Sequence, residues 1–161
     1  MRSNVQLIRK RVDYLLRMRN YLNYSYEQIL RIVPVEDFDA LTPEQHEALA
    51  AFRVRFSEFQ EHLGKLMRAI AREEEQETEP FSFVLLYMEK IGILDSAMRW
   101  KMIRELRNAI NHEYEEDGGR LFEFLSKIRR KPCPSGRGWI AWPLQVACFS
   151  LVFVVVRYIP E

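Results

Sequence analysis

Apolar residues recur every three or four positions through most of the chain, the period of helices with one buried face. Val5, Ile8, Val12, Leu15, Leu16 and Leu22 share one side of a helix predicted over 3–22, with Arg9, Arg17 and Arg19 elsewhere around it. Asn20, Asn23 and Ser25 predict a break, because short polar side chains compete for backbone hydrogen bonds. Ser25 with Gln28 suits a capping box for a short helix to Val33, which Pro34 stops. Residues 34–41 read as a loop.

Thr42-Pro43-Glu44-Gln45 is the clearest helix start in the chain. Thr caps, Pro suits the first turn, and Gln45 reaches back to the cap. The helix should run to about Glu74, with Leu49, Phe52, Phe56, Phe59, Leu63, Leu66 and Ile70 as its apolar stripe. Phenylalanines at that spacing are core, not a base-stacking platform. His46 and His62 fall on the polar side, and Gly64 marks close packing. Residues 73–79 form an acidic connector before Pro80. Phe81 to Ile91 is a short apolar helix with Gly92 as its C-cap, and Asp95 or Ser96 caps the next. That helix ends before Asp117-Gly118-Gly119, and residues 120–130 make a short last one. The expected fold is all-α, an antiparallel bundle of four to five helices over residues 1–131.

The helix after Ser96 carries the candidate chemistry. At about 100° per residue, Met102, Ile103, Leu106 and Ile110 fall on one arc, expected to be core. Tyr114, Arg107, Asn111, Arg104, Asn108 and His112 follow one another around a second arc roughly 160° wide. A cation, two amides, an imidazole and a phenol side by side can grip a phosphodiester. Arg offers a fork of donors at every protein pH, and His exchanges protons near neutrality. The structural alternative pairs Arg107 with Glu115 or another acid and uses His112 to cap its helix.

The string Arg107-Asn108-x-x-x-His112-x-Tyr114 resembles the signature of HEPN domains, in particular HepT-type toxins paired with minimal nucleotidyltransferases. The Arg104-Glu105-Leu106 before it and the Glu115-Glu116-Asp117 after it are similar too. The resemblance covers roughly residues 1–130. It implies a homodimer that brings two signature helices together, and a metal-independent ribonuclease acting on RNA such as tRNA or mRNA. Arg107 and His112 would be catalytic with Asn108 assisting, and Arg104 and Asn111 would bind substrate. Tyr114 would be the residue that a nucleotidyltransferase antitoxin modifies with AMP. A non-catalytic companion that holds a nucleotide or substrate for a nucleotidyltransferase is the alternative function.

Composition narrows this reading without redirecting it. The chain has 161 residues, 48% hydrophobic and 29% charged, as expected of one helical domain. Its formal net charge is +1, so RNA contact must come from a local cluster or from two subunits together. There is no Gly-rich phosphate loop, His-x-x-x-His, Cys-x-x-Cys or nucleophile elbow, and no cofactor is expected. Cys133 and Cys148 make no disulfide framework, no leader is visible, and the expected location is the cytoplasm.

Beyond Lys131 the character changes. Residues 132–138 are Pro- and Gly-rich, and 139–156 carry no charge, an atypical hydrophobic tail. Its length is borderline for a membrane span, and Arg129, Arg130, Lys131 and Arg137 would suit a cytoplasmic flank. Pro143 and Gln145 argue against one, and a packed segment or a shifted reading frame would look the same. This tail departs from the family pattern, which continues as helix.

Overall fold

A computed structural model describes the backbone of residues 2–32, 37 and 39–112, and the side chains of 5–32, 37, 39–105, 107 and 108. Four helices account for nearly all of them: α1 (Arg2–Ile32), α2 (Pro43–Glu73), α3 (Phe81–Lys90) and α4 (Ala97–His112). No strand occurs among the described residues, and no described helix is long and apolar enough to cross a membrane. The end of the signature helix, the expected helix over 120–130 and the tail from 132 to 161 lie outside the described residues.

α1 and α2 are each 31 residues long, about 46 Å, and form an antiparallel pair. Tyr14 meets His62 edge-on at 5.0 Å, Arg55 donates to the Ser25 hydroxyl, and Tyr26 meets Phe52 at 6.3 Å. Position numbers rise along one helix as they fall along the other. The buried residues keep a seven-residue step on both sides: Ile8, Leu15, Leu22 and Ile29 on α1, Leu49, Phe56, Leu63 and Ile70 on α2. The register of the three contacts puts Ile8 level with Ile70, Leu15 with Leu63, Leu22 with Phe56 and Ile29 with Leu49.

The break expected at Asn20–Ser25 does not occur, and α1 runs through to Ile32. Ser25 is 3% exposed and faces α2, where its hydroxyl accepts from Arg55 instead of capping a helix. Arg55 also donates to the Tyr21 carbonyl at 3.3 Å. Tyr26 and Ile29 carry the buried stripe onward. Burial of each such side chain stabilises by about 1.5–3 kcal/mol, which outweighs helix-propensity penalties of about 0.7 kcal/mol or less.

α2 starts as its sequence dictates. The Thr42 backbone N–H donates to Gln45 Oε1 at 2.9 Å, and the Gln45 N–H donates to Thr42 Oγ1 at 3.3 Å. Both halves of the capping box are therefore closed. The Glu44 carboxyl is held below its ordinary range by the same helix start, through its own backbone N–H and then Thr42. Thr42→Ala should cost about 1 kcal/mol, read as a lower urea midpoint with an unchanged m-value.

α3 ends where Gly92 adopts φ +76°, the left-handed region that suits glycine. The Ile93 and Leu94 N–H groups then turn back to the Met88 carbonyl at 2.8 and 3.0 Å. Ser96 caps α4, accepting from the Arg99 N–H at 3.2 Å, while Asp95 pairs with the Arg99 side chain. Glu89 of α3 reaches the α4 terminus, accepting from the Ala97 N–H at 2.7 Å. These bonds fix the start of α4 against α3.

The buried arc of α4 is Ala97, Trp100 and Ile103. Met102, expected in the core, is 53% exposed, and Met98 is exposed on the same side. The packed face is rotated by about 100° from the expected one. Among the described residues of this helix the Trp100 indole is the largest buried side chain, and it draws its own arc inward. Arg107 lies only about 20° from Trp100 around the helix, so it too faces α2.

Candidate functional site

Where α4 crosses α2, the two helices enclose a cavity of about 380 Å³. Arg104, Arg107 and Trp100 form its α4 wall. Gln60, Glu61, Gly64, Lys65 and Arg68 form the α2 wall, and Phe81 closes one end. The volume falls within the ~300–1,000 Å³ typical of small-molecule sites. Four cations line it against one acid, Glu61, so the near-neutral chain concentrates positive charge here.

The cations are held in place. Arg68 pairs with Glu79 at 3.1 Å and lies 5.0 Å from the Phe81 ring centre, and Arg104 lies over the same ring at 6.0 Å. Lys65 contacts Glu61 at 2.5 Å. That bond and the Lys65 charge hold the Glu61 carboxyl below the usual carboxylate range, with His62 and Arg107 adding smaller pulls. Glu61 is therefore ionised at neutral pH and takes up part of the lysine's charge.

Arg107 is half-buried, and its Nε and Nη2 donate to Asn108 Oδ1 at 3.2 and 2.8 Å. Among the described residues the guanidinium has no ion pair with an acid. The amide oxygen orients the guanidinium, a contact that the spacing of the two residues had not predicted. Arg104 and Arg107 share one cavity, as their common arc implied. Asn111 and His112 fall in the last described turn of α4, but their side chains lie outside the described residues, as does all of Tyr114 and Glu115.

Gly64 sits beneath Phe81, and a Cβ built there would meet the ring's Cζ at 3.6 Å, ordinary van der Waals contact. A Cβ is accommodated there, so the close helix packing expected at this glycine does not occur. His62, expected on the polar side, packs edge-on against Tyr14. Among the described residues no group of His, Cys, Asp or Glu is placed to hold a metal ion.

Five cavity residues were not singled out from the sequence: Gln60, Glu61, Lys65, Arg68 and Trp100. Gln60 is 5% exposed and Trp100 is 4% exposed. Among the described residues, both polar atoms of the Gln60 amide, the Trp100 Nε1 and the Arg68 Nε have no hydrogen-bond partner. Such groups cost about 1–3 kcal/mol each when buried unpaired. The signal for Gln60 was present: an amide four residues after Phe56 and three before Leu63, inside the apolar stripe.

No family model, curated protein or solved structure matches this chain. The class that the described fold defines is an all-helical bundle with a cationic cavity between its second and fourth helices.

Proposed function

We propose that this protein is a metal-independent endoribonuclease of the HEPN type, acting as a homodimer and serving as the toxin of a toxin–antitoxin pair. The observation that carries the reading is Arg107: a half-buried guanidinium, oriented by Asn108, beside Arg104 in a cationic cavity. The resemblance of the Arg107–Tyr114 string supplies the rest.

RNA carries its own nucleophile, the 2′-hydroxyl. A neutral His112 takes the hydroxyl proton, the 2′ oxygen bonds to phosphorus, and the bond from phosphorus to the 5′ oxygen breaks. A protonated His112 of the second copy returns a proton to the departing 5′ oxygen. Arg107 stabilises the charge that builds on the phosphoryl oxygens. Arg104 and Asn111 hold the flanking phosphate. The products are a 2′,3′-cyclic phosphate and a 5′-hydroxyl end.

A symmetric dimer supplies both histidines. Met98 and Met102 lie four apart along α4, and both are exposed. This apolar ridge suits burial against a second copy. Neutralisation follows from Tyr114 on the same helix. Its phenol oxygen accepts AMP from ATP with pyrophosphate leaving, catalysed by the cognate nucleotidyltransferase. The added bulk and negative charge then obstruct phosphate entry.

The second reading is a companion that holds a nucleotide for a nucleotidyltransferase and cleaves nothing. The cationic cavity fits it too, because a nucleotide phosphate calls for the same donors. Expression of His112→Ala in cells separates the two. Loss of toxicity with retained binding to the nucleotidyltransferase supports the nuclease. Growth inhibition equal to that of the wild type overturns it.

A further inference from the structure

Charge is unevenly divided along this chain. α1 carries seven basic residues against two acidic ones, a formal +5 in a chain whose total is +1, so the remainder is −4. On the solvent side of α1, Lys10, Tyr14, Arg17, Tyr21, Tyr24 and Arg31 follow one another at steps of four, three, four, three and seven residues. Those steps keep them in one stripe, about 32 Å long and within about 100° of arc. All six are exposed, Tyr21 and Tyr24 by 63% and 60%. Asp13 and Glu27, the two acids of α1, both fall on the margin away from α2. Among the described residues no acid pairs with Lys10, Arg17 or Arg31. Two of the rings are braced from α2: His62 meets Tyr14 at 5.0 Å, and the Arg55 guanidinium lies 5.8 Å from the centre of the Tyr21 ring. Braced rings lose less freedom when a partner packs on them.

We propose that this face of α1 is a track for single-stranded RNA, with bases stacked on Tyr21 and Tyr24 and backbone phosphates on Lys10, Arg17 and Arg31. Solvent accounts for exposed cations but not for a row of open phenol rings. An apolar partner accounts for the rings but would desolvate the cations at a cost. A single strand uses both, since its phosphates meet the cations and its unpaired bases stack on the rings. Arg55 borders the track and Gly64 lines the cavity. They are nine residues apart, about 180° around α2, so the track and the cavity lie on opposite flanks of that helix. The track therefore holds RNA and takes no part in the chemistry. The inference rests on the proposed ribonuclease for its choice of RNA over DNA. It goes beyond that reading by assigning RNA binding to a helix outside the Arg107–Tyr114 string.

The test is fluorescence anisotropy of the full chain with a labelled 2′-O-methylated dodecauridylate, whose blocked 2′ oxygen keeps it from being cleaved, over a series of salt concentrations. Tyr21→Ala/Tyr24→Ala should weaken binding by about tenfold and leave the salt dependence unchanged. Tyr21→Phe/Tyr24→Phe should bind as the wild type does, because the rings are kept. Arg17→Gln should weaken binding and lower the slope of log Kd against log salt by about 0.7, the loss of one phosphate contact on a single strand. All three positions are exposed, so circular dichroism should show the same fold throughout. Alanine variants that bind as tightly as the wild type overturn the track. So does a polyglutamate peptide that competes as well as the oligonucleotide, which would identify an acidic protein as the partner. In cleavage assays the tyrosine variants should raise KM and keep kcat. Binding that depends on the tyrosines without any RNA cleavage upholds the track and overturns the nuclease, and cleavage with tyrosine-independent binding does the reverse.

Discussion

Arg107→Ala should lower RNA cleavage by about 10²–10³-fold, the usual effect of removing one preorganised donor from a developing oxyanion. The fold should survive, because the described hydrogen bonds of this guanidinium both go to its neighbour Asn108. Far-UV circular dichroism and the melting temperature should therefore stay close to the wild type. Arg107→Lys should recover little, since a lysine supplies a point charge and not a planar fork. Asn108→Ala should give a smaller loss of about tenfold. That variant keeps the guanidinium and frees it to sample other rotamers, so added salt should inhibit it more than the wild type. If Arg107→Ala cleaves at the wild-type rate, the cationic wall of the cavity has no part in the chemistry.

Phe52→Ala should destabilise the fold by about 3–5 kcal/mol, the usual range for a large aromatic truncated in a core. Phe52 is fully buried at the centre of the α1–α2 seam. Its ring stacks on Phe56 with centroids 5.8 Å apart and planes 14° apart, and it meets Tyr26 at 6.3 Å. Removing it opens a void and breaks both ring contacts, each worth about 0.5–1.5 kcal/mol beyond area burial. A typical domain has about 5–15 kcal/mol in total, so the melting temperature should fall by about 6–20 °C. Phe83→Ala, at an exposed position of α3, should change stability by about 0.5 kcal/mol or less. Thermal and urea unfolding of the two variants side by side check the contrast. Equal effects would mean that the seam is not the core.

The contrast between α2 and α1 shows which signals a sequence carries. The Thr42–Gln45 box and the phenylalanine stripe specify α2 by local rules, and the structure follows them. The polar cluster at Asn20–Ser25 follows local rules too, yet the helix continues, because Arg55 and the level core residues of α2 lie far away in sequence. A seven-residue step from Ile8 to Ile29 was the available clue. On α4, Arg104, Arg107 and Asn108 could be picked out by composition and spacing. The angle of the helix could not, since it depends on which apolar side of α4 meets α2, and Trp100 decides that. Gln60 shows in the sequence only as an amide inside the apolar stripe. An isolated amide in an apolar stripe is ambiguous until the opposite wall of the cavity is known.

The most direct measurement incubates purified full-length protein, free of any nucleotidyltransferase, with total tRNA and mRNA in EDTA, beside an Arg107→Ala/His112→Ala variant. Cleavage by the wild type alone, leaving 2′,3′-cyclic phosphate and 5′-hydroxyl ends, is the predicted result. Intact RNA in the presence of a folded dimer whose mass shows an unmodified Tyr114 would contradict the nuclease account and leave the nucleotide-holding companion in its place.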